Sequence, residues 1–150
     1  MSRIPAKRQA AVGSPDDVEA AFYECLRNGD LDKLMDCWAD EDDIACIHPG
    51  SVRLLGAPAI RAAFESLFSN GGTIPVSAVQ IRRVDSVSSA IHHVLERVDL
   101  QTPQGTAHGY VLATNVYHKT PQGWRLVVHH ASPGTSAGVQ EMGEAPQVLH

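Results

Sequence analysis

The chain has 150 residues, 43% of them hydrophobic, and this length suits one domain with a single hydrophobic core rather than two. Its formal net charge of −5 and its scattered basic residues exclude nucleic acid as the main partner, because a phosphate backbone requires a concentrated basic face. No apolar run approaches the ~20 residues of a membrane span, and the basic N-terminus lacks the apolar stretch of a signal peptide, so we expect a cytoplasmic protein without a membrane partner.

Three helices are predicted in the first half of the chain. Residues 1–13 are expected to form a disordered arm, after which Ser14 is an N-cap residue and Pro15 takes the first helical position. Apolar residues recur at helical spacing until Gly29 stops this helix, and a shorter second helix follows directly. The third helix begins near Pro58 and has an apolar stripe along one side.

The second half of the chain is predicted to form long antiparallel strands. The sequence Thr-Pro-Gln-Gly occurs twice, at 102–105 and at 120–123, each time between β-rich runs. Proline presets φ for the second position of a turn and glycine takes the positive φ that closes it, so the two turns join three strands of a meander. A further strand precedes the meander, and a small hairpin over 44–55 separates the second helix from the third.

This order of elements indicates an α+β domain. Runs of helices followed by runs of strands favour helices packed on one face of a curved, cone-shaped antiparallel sheet. The domain is predicted over residues 14–133, with a loose tail over 134–150. Helices fill the concave face of such a sheet only in part, and the remaining mouth is a natural place for a small molecule.

Three features of the sequence raise the question of a bound metal or cofactor. The acidic run at 40–43 lacks the ligand spacing of a calcium-binding EF-hand loop, so we interpret it as a solvated turn. The three cysteines are an odd count without CxxC spacing, which favours buried free thiols over disulfides or a metal knuckle. Zinc would require one histidine from each of the pairs 92–93 and 129–130 together with His48 or Glu96, and no HxxxH or HxH spacing supports that set. We expect no metal and no cofactor.

Four local patterns follow one another along the chain. They are NGDLDKLMDCWADEDDI, HPGSVRLLG, GAPAIRAAFESLF and GWRLVVHHAS, and with the first helix they span about residues 15–133. In this order and spacing they resemble the SnoaL-like branch of the nuclear-transport-factor-2-like superfamily. The resemblance implies a cone-shaped α+β barrel that is commonly a dimer through the outer face of the sheet. Because the superfamily includes ketosteroid isomerase, polyketide cyclases, dehydratases and domains that only bind or oligomerise, the fold does not decide the function.

Ketosteroid isomerase allows a comparison residue by residue. Its general base, an aspartate before a proline on the first short strand, corresponds to His48, and its oxyanion-hole tyrosine on the first helix corresponds to Phe22. Its second donor, a protonated aspartate on a late strand, falls near Asn115. None of the three positions keeps the isomerase residue, so the resemblance does not imply steroid isomerisation by that mechanism.

The faces of the last two strands can be predicted by counting outward from their turn. With a two-residue loop, Thr114 lies opposite His129 and Asn115 opposite Val128. Alternation then separates the side chains into two faces, and a slip of one residue would exchange them. The face predicted to be concave carries His92, Glu96, Val111, Ala113, Asn115, Tyr117, Leu126, Val128 and His130. The opposite face carries His93, Arg97, Tyr110, Thr114, Arg125 and His129.

We predict a proton-transfer site at the mouth of the cone. His48, His130 and Asn115 are the predicted catalytic residues, since a neutral histidine beside a carboxylate suits proton transfer near neutral pH and an amide can donate to an oxyanion. The opposing interpretation of His130 is a core histidine hydrogen-bonded to the backbone or to a neighbouring helix. The predicted ligand-binding residues are Phe22, Trp38, Phe64, His92, Glu96 and Tyr117.

The sequence thus predicts a homodimeric protein that binds a small, partly apolar molecule in the cone. If it is an enzyme, we expect isomerisation, dehydration or cyclisation; the alternative is a non-catalytic binding or oligomerisation module. A histidine–carboxylate pair within hydrogen-bond distance in the cavity would favour the enzyme, whereas a cavity filled by Trp38 and phenylalanines would favour the module. The dimer is expected through the convex face of the sheet, whose apolar residues are Leu95, Tyr110, Leu112, Val116 and Val127.

Overall fold

The computed structural model describes residues 13–135 and 140–143. Its helices are α1 (Pro15–Asn28), α2 (Leu31–Asp36) and α3 (Ala57–Gly71). None of the helices in the described part of the chain has the length and hydrophobicity of a membrane span. Its strands are β1 (Ala45–Ile47), β2 (Arg53–Leu55), β3 (Val76–Asp85), β4 (Ser89–Thr102), β5 (Gly105–Thr120) and β6 (Gly123–Pro133). The predicted order of elements is confirmed. The predictions of a disordered arm over 1–13 and a loose tail over 134–150 fall largely outside the described residues.

Helix α1 begins and ends as its sequence predicts. The Ser14 Oγ atom accepts a hydrogen bond from the backbone N–H of Asp17 at 3.1 Å. Pro15 occupies the first turn, where backbone N–H groups have no acceptor within the helix, so a residue without an N–H loses no hydrogen bond there. Gly29 adopts a left-handed conformation with φ of 69° and donates its N–H to the Cys25 carbonyl at 2.8 Å. Ser14 and Gly29 therefore set the two ends of α1.

The two Thr-Pro-Gln-Gly turns share one geometry. In each, the threonine Oγ1 donates to the glycine carbonyl at 2.7 Å and accepts from the glutamine N–H. Gly105 and Gly123 have φ of 114° and 105°, a region that residues with a Cβ rarely adopt. Thr102 pairs with Gly105 and Thr120 with Gly123, so the predicted two-residue loops are confirmed.

The six strands form one curved sheet in the order β2-β1-β6-β5-β4-β3. The four long strands are antiparallel to one another, as predicted. The small hairpin joins the same sheet, because β1 pairs with β6 in parallel, with Cys46 opposite His129, a pairing that the sequence analysis did not predict. A parallel pair needs a long connection, and here the chain from β1 to β6 passes through α3 and four other strands.

A β-bulge in β6 decides which side chains of that strand face the helices. Pairing follows the predicted count through the first four pairs from the turn and then shifts by one residue at Val127, where two residues oppose one. Beyond the bulge, Asn115 lies opposite His129 instead of Val128, so the predicted register there is wrong by one residue. His129 is consequently buried under the helices, whereas His130 is exposed on the other face.

The hydrophobic core lies between the helices and the concave face of the sheet. Fully buried apolar side chains such as Phe22 of α1, Phe64 of α3 and Leu126 of β6 meet there, and each stabilises the fold by roughly 1.5–3 kcal/mol. Among the described residues, the buried polar side chains are Glu19, His92, Glu96, Asn115, Arg125 and His129. Burial of a polar side chain is costly unless it is hydrogen-bonded. These buried polar residues therefore mark the interior of the cone as the place to look for a functional site.

Candidate functional site

A cavity of about 160 Å³ opens between the helices and the concave face of the sheet. The end of β1 places His48 and Pro49 on it, α3 contributes Phe64, and β4 and β6 contribute Glu96 and His129. Its other walls are apolar: Leu26, Ile74, Val76, Val98, Val111 and Ala131. Because a cavity of ~150 Å³ is large enough to hold benzene, the site fits a compact organic molecule.

Glu96 is the carboxyl group of this cavity and is 6% exposed. The hydroxyl of Tyr23 on α1 donates to Glu96 Oε2 at 2.6 Å. Burial raises the pKa of Glu96 from 4.5 to about 7, against the opposing hydrogen bond from Tyr23 and with a smaller contribution from the negative charge of Glu19. A carboxyl group with a pKa near neutral pH can both release and take up a proton, which suits it to general acid–base chemistry.

His129 brings an uncharged imidazole to the same cavity. Its Nδ1 atom lies 2.6 Å from Asn115 Oδ1, and its ring centroid is 5.2 Å from that of Phe22. Burial, with a smaller contribution from His48 and His130, lowers the pKa of His129 to about 3. At neutral pH the ring therefore offers a ligand a hydrogen-bonding nitrogen rather than a positive charge.

His48 lies across the cavity from His129, with 6.4 Å between the ring centroids. Its Nε2 atom is 3.8 Å from the Cys46 Sγ atom, and its ring meets Phe64 edge to face at 5.2 Å. Burial lowers the pKa of His48, and burial raises the pKa of Cys46 to about 12. The thiol stays protonated at neutral pH, so Cys46 is a packing partner of His48 rather than a nucleophile.

Behind the cavity, the Glu19 carboxyl group lies within hydrogen-bond distance of three buried side chains. The Tyr117 hydroxyl donates to Glu19 Oε2 at 2.7 Å, the Asn115 amide nitrogen donates to the same atom at 3.0 Å, and His92 Nδ1 lies 2.9 Å from Oε1. The Asn115 amide nitrogen also donates to the Tyr23 hydroxyl at 3.0 Å. Through Asn115 and Tyr23 this buried network reaches both polar groups on the sheet side of the cavity.

Residues 16–136 match the SnoaL-like domain family. The chain belongs to this family. Among solved structures, a candidate calcium/calmodulin-dependent protein kinase type II association domain from Thiobacillus denitrificans is 33% identical, with a TM-score of 0.75 over 83% of this chain and 98% of that one. A candidate dehydratase of the NTF2-like family from Streptomyces avermitilis is 27% identical, with a TM-score of 0.68 over 77% of this chain and 90% of that one.

Similarity of fold extends further than similarity of sequence. The hub of the S. rosetta calcium/calmodulin-dependent protein kinase II is 20% identical, with a TM-score of 0.64 over 89% of this chain and all of that one. At this identity the likeness shows the shared fold alone. No curated protein matches the chain.

Three of the predicted site residues line the cavity of this SnoaL-like domain: His48, Phe64 and Glu96. The prediction that His130 faces the cavity is wrong, because the bulge at Val127 turns its side chain to the outer face of the sheet. His129, predicted on the outer face, takes the inward position instead.

The other predicted residues lie in the core without reaching the cavity. Asn115 is fully buried, and Glu19 and Tyr23 use both hydrogens of its amide, so it does not face a ligand. His92 lines a separate cleft of about 220 Å³ near the start of α1. The remaining buried residues of this group are Phe22, Trp38 and Tyr117. Of the predicted site residues, His92, Asn115 and His130 therefore do not line the cavity.

Sequence reasoning missed three residues of the site: Glu19, Tyr23 and His129. Glu19 precedes Phe22 by three residues and Tyr23 by four, so the helical period places its carboxylate in the buried stripe of α1, and that spacing was a usable signal. For His129 the signal is the run of three apolar residues at 126–128, which interrupts the alternation expected of a half-buried strand.

In the part of the chain that the structure describes, no group of three or more histidine, cysteine or acidic residues could hold a metal ion. Cys25, Cys37 and Cys46 are buried free thiols, as predicted. A hydrogen bond with Cys37 lowers the pKa of Cys25, which ties the two thiols to each other at the junction of α1 and α2 rather than to the cavity.

Proposed function

We propose that this SnoaL-like domain binds a compact, uncharged and mostly apolar molecule in its cavity and transfers a proton to or from it. The observation that carries the proposal is the buried Glu96 carboxyl group, with a pKa near 7, in an apolar cavity shared with His48 and His129. Proton transfer between Glu96 and a carbon beside a carbonyl group would serve isomerisation, dehydration or cyclisation. The candidate dehydratase among its relatives supports that reaction class.

The lining of the cavity favours a neutral ligand over an acid. Among the described residues that line it there is no lysine or arginine. Burial lowers the pKa of both His48 and His129, so neither ring supplies a positive charge at neutral pH. A carboxylate ligand would lose its hydration beside a partly ionised Glu96 without gaining a cationic partner, which is unfavourable.

Cyclohexanone tests binding in light water and chemistry in heavy water. In light water we expect it to shift the amide resonances of cavity residues. In heavy water we expect its α-hydrogens to exchange for deuterium faster than in buffer without the protein, because ionised Glu96 removes a proton from the α-carbon and a deuteron returns. Glu96→Gln is expected to keep binding and to slow exchange roughly 100-fold, whereas Glu24→Gln, at an exposed position of α1, is expected to change neither. Proton NMR measures both quantities.

Two outcomes would count against the proposal. Tight binding of cyclohexanecarboxylate, equal to that of the ketone, would contradict the preference for an uncharged ligand. Binding of cyclohexanone without exchange would overturn proton transfer and support the alternative, a non-catalytic binding module. Ala131→Phe fills the cavity and should abolish binding, whereas Ala107→Phe, at an exposed position of β5, should not.

We also propose that two copies pair through the outer face of the sheet. This face carries a groove of about 1130 Å³, and its lining combines apolar side chains such as Leu95 and Leu112 with polar ones such as His130. Part of the groove is bordered by residues 140–143, where Glu141 lies 3.2 Å from the Arg82 guanidinium. The relative from T. denitrificans is named as an association domain, which supports a partner on this class of fold.

Leu112→Glu is expected to convert the dimer to a monomer. The reason is that the new carboxylates of the two copies would meet in the interface and lose their hydration there. Light scattering measures the mass, and Val87→Glu, at a 92% exposed position, is the matched control that should stay dimeric. A parent chain with the mass of a single copy would refute the proposed pairing.

A further inference from the structure

The amide of Asn115 stands between the cavity histidine and a buried carboxylate. Its Oδ1 atom is 2.6 Å from His129 Nδ1, and its Nδ2 atom is 3.0 Å from both Glu19 Oε2 and the Tyr23 hydroxyl oxygen. All of these side chains are buried, so none of the contacts can be exchanged freely for water. The direction of each hydrogen bond is therefore fixed by the neighbours.

Only one orientation of the Asn115 amide satisfies those neighbours. The hydrogen of the Tyr23 hydroxyl is used on Glu96, so toward Asn115 the Tyr23 oxygen can only accept. Glu19 Oε2 already accepts from the Tyr117 hydroxyl and, as a carboxylate oxygen, has no hydrogen to give. Turning the amide over would place Oδ1 against two acceptors at 3.0 Å, which leaves buried acceptors facing each other.

With the amide held in this way, His129 has a single compatible tautomer. Asn115 Oδ1 can only accept, so His129 Nδ1 carries the hydrogen and Nε2 carries the lone pair. We infer that Glu19, which does not line the cavity, is a positioning residue that holds His129 in this tautomer through Asn115. A histidine so fixed accepts a hydrogen bond from a ligand hydroxyl, enol or amine and gives none.

The role of Glu19 in catalysis rests on the proposed function, but the tautomer of His129 can be measured without a ligand. Long-range ¹H–¹⁵N correlation spectra report which ring nitrogen of each histidine is protonated. We expect His129 to show a protonated Nδ1 and a bare Nε2 in the parent chain. A His129 with its hydrogen on Nε2 would overturn the inference directly.

Two substitutions of Glu19 distinguish the effect of its hydrogen-bond acceptors from the effect of its size. In Glu19→Gln the amide oxygen can still accept from Tyr117 and Asn115, so His129 should keep its tautomer. The new NH₂ group would then face His92 Nδ1, so the hydrogen of His92 should move to Nε2. Glu19→Met keeps the size of the side chain but removes both acceptors, and we expect His129 to become a mixture of tautomers.

If Glu19→Met does not fold, the parent chain and Glu19→Gln still test the directions of the hydrogen bonds around Glu19. An unchanged His92 tautomer in Glu19→Gln would contradict the proposed directions. A uniform Nδ1–H tautomer of His129 in folded Glu19→Met would show that Glu19 is not the positioning residue. Loss of cyclohexanone binding with the expected tautomers would count against the proposed function alone.

Discussion

Replacing Glu19 with alanine is expected to lower the free energy of unfolding by about 4 kcal/mol. Tyr117, Asn115 and His92 each lose a buried hydrogen-bond acceptor at once, and an unsatisfied buried donor costs roughly 1–3 kcal/mol. Against a total stability of roughly 5–15 kcal/mol for a domain, this would be among the most damaging substitutions in the chain. Urea unfolding at pH 7, followed by tryptophan fluorescence, measures it.

The matched control for this loss is Glu24→Ala on the same helix. Glu24 is exposed, whereas Glu19 is 2% exposed, so the two substitutions change helix propensity alike and differ only in the buried contacts. We expect Glu24→Ala to stay within about 0.5 kcal/mol of the parent. A comparable loss in both variants would show that the Glu19 network does not stabilise the fold.

Tyr117→Phe removes a single hydrogen-bond donor to Glu19 and should lower the free energy of unfolding by about 1 kcal/mol.

The fold could be predicted from the sequence because its signals are local. An N-cap serine, a helix-ending glycine and two repeated turns set the lengths of the elements, and these features act through a few neighbouring residues. The parallel pairing of β1 with β6 has no such local signal. It depends on where the chain returns after more than seventy residues, so only the three-dimensional structure reveals it.

The candidate site was predicted only in part because one residue in β6 changes its register. Counting from the turn gives the correct partners until Val127 adds a residue without a partner, and from there inward and outward positions are exchanged. His129 and His130 are adjacent and chemically identical, so no property of the residues themselves could separate them. Glu96 was placed correctly because it lies on β4, whose pairing with β5 is regular.

The second large effect is expected in the pH dependence of stability, and it comes from Glu96. Burial raises its pKa from 4.5 to about 7, so between those two values the folded state binds more protons than the unfolded state. The contribution of Glu96 is therefore fully present below pH 4.5 and is lost as the pH rises to about 7. A shift of this size corresponds to about 3 kcal/mol.

His129 acts in the opposite direction over part of the same range. Burial lowers its pKa from 6.5 to about 3, so its contribution is fully present above pH 6.5 and is lost as the pH falls toward 3. His48, whose pKa burial also lowers, has the same sign. Between pH 4.5 and 6.5 the carboxyl group and the two imidazoles thus change the free energy of unfolding in opposite directions. The pH profile of the parent chain alone would therefore not reveal their separate contributions.

A difference profile between the parent and Glu96→Gln removes that cancellation. The histidines contribute to both chains, so the stability of Glu96→Gln relative to the parent should rise by about 3 kcal/mol from pH 4.5 to 7.5. Glutamine can still accept the hydrogen bond from Tyr23, which keeps the packing of the site comparable. Urea unfolding at intervals of pH measures the profile, with Glu24→Gln, at an exposed position of α1, as the control. A flat profile for Glu96→Gln would mean that Glu96 ionises like a carboxyl group in water. Glu96 would then be ionised throughout this range and a weaker base, without the pKa near neutral pH that lets it both take up and release a proton.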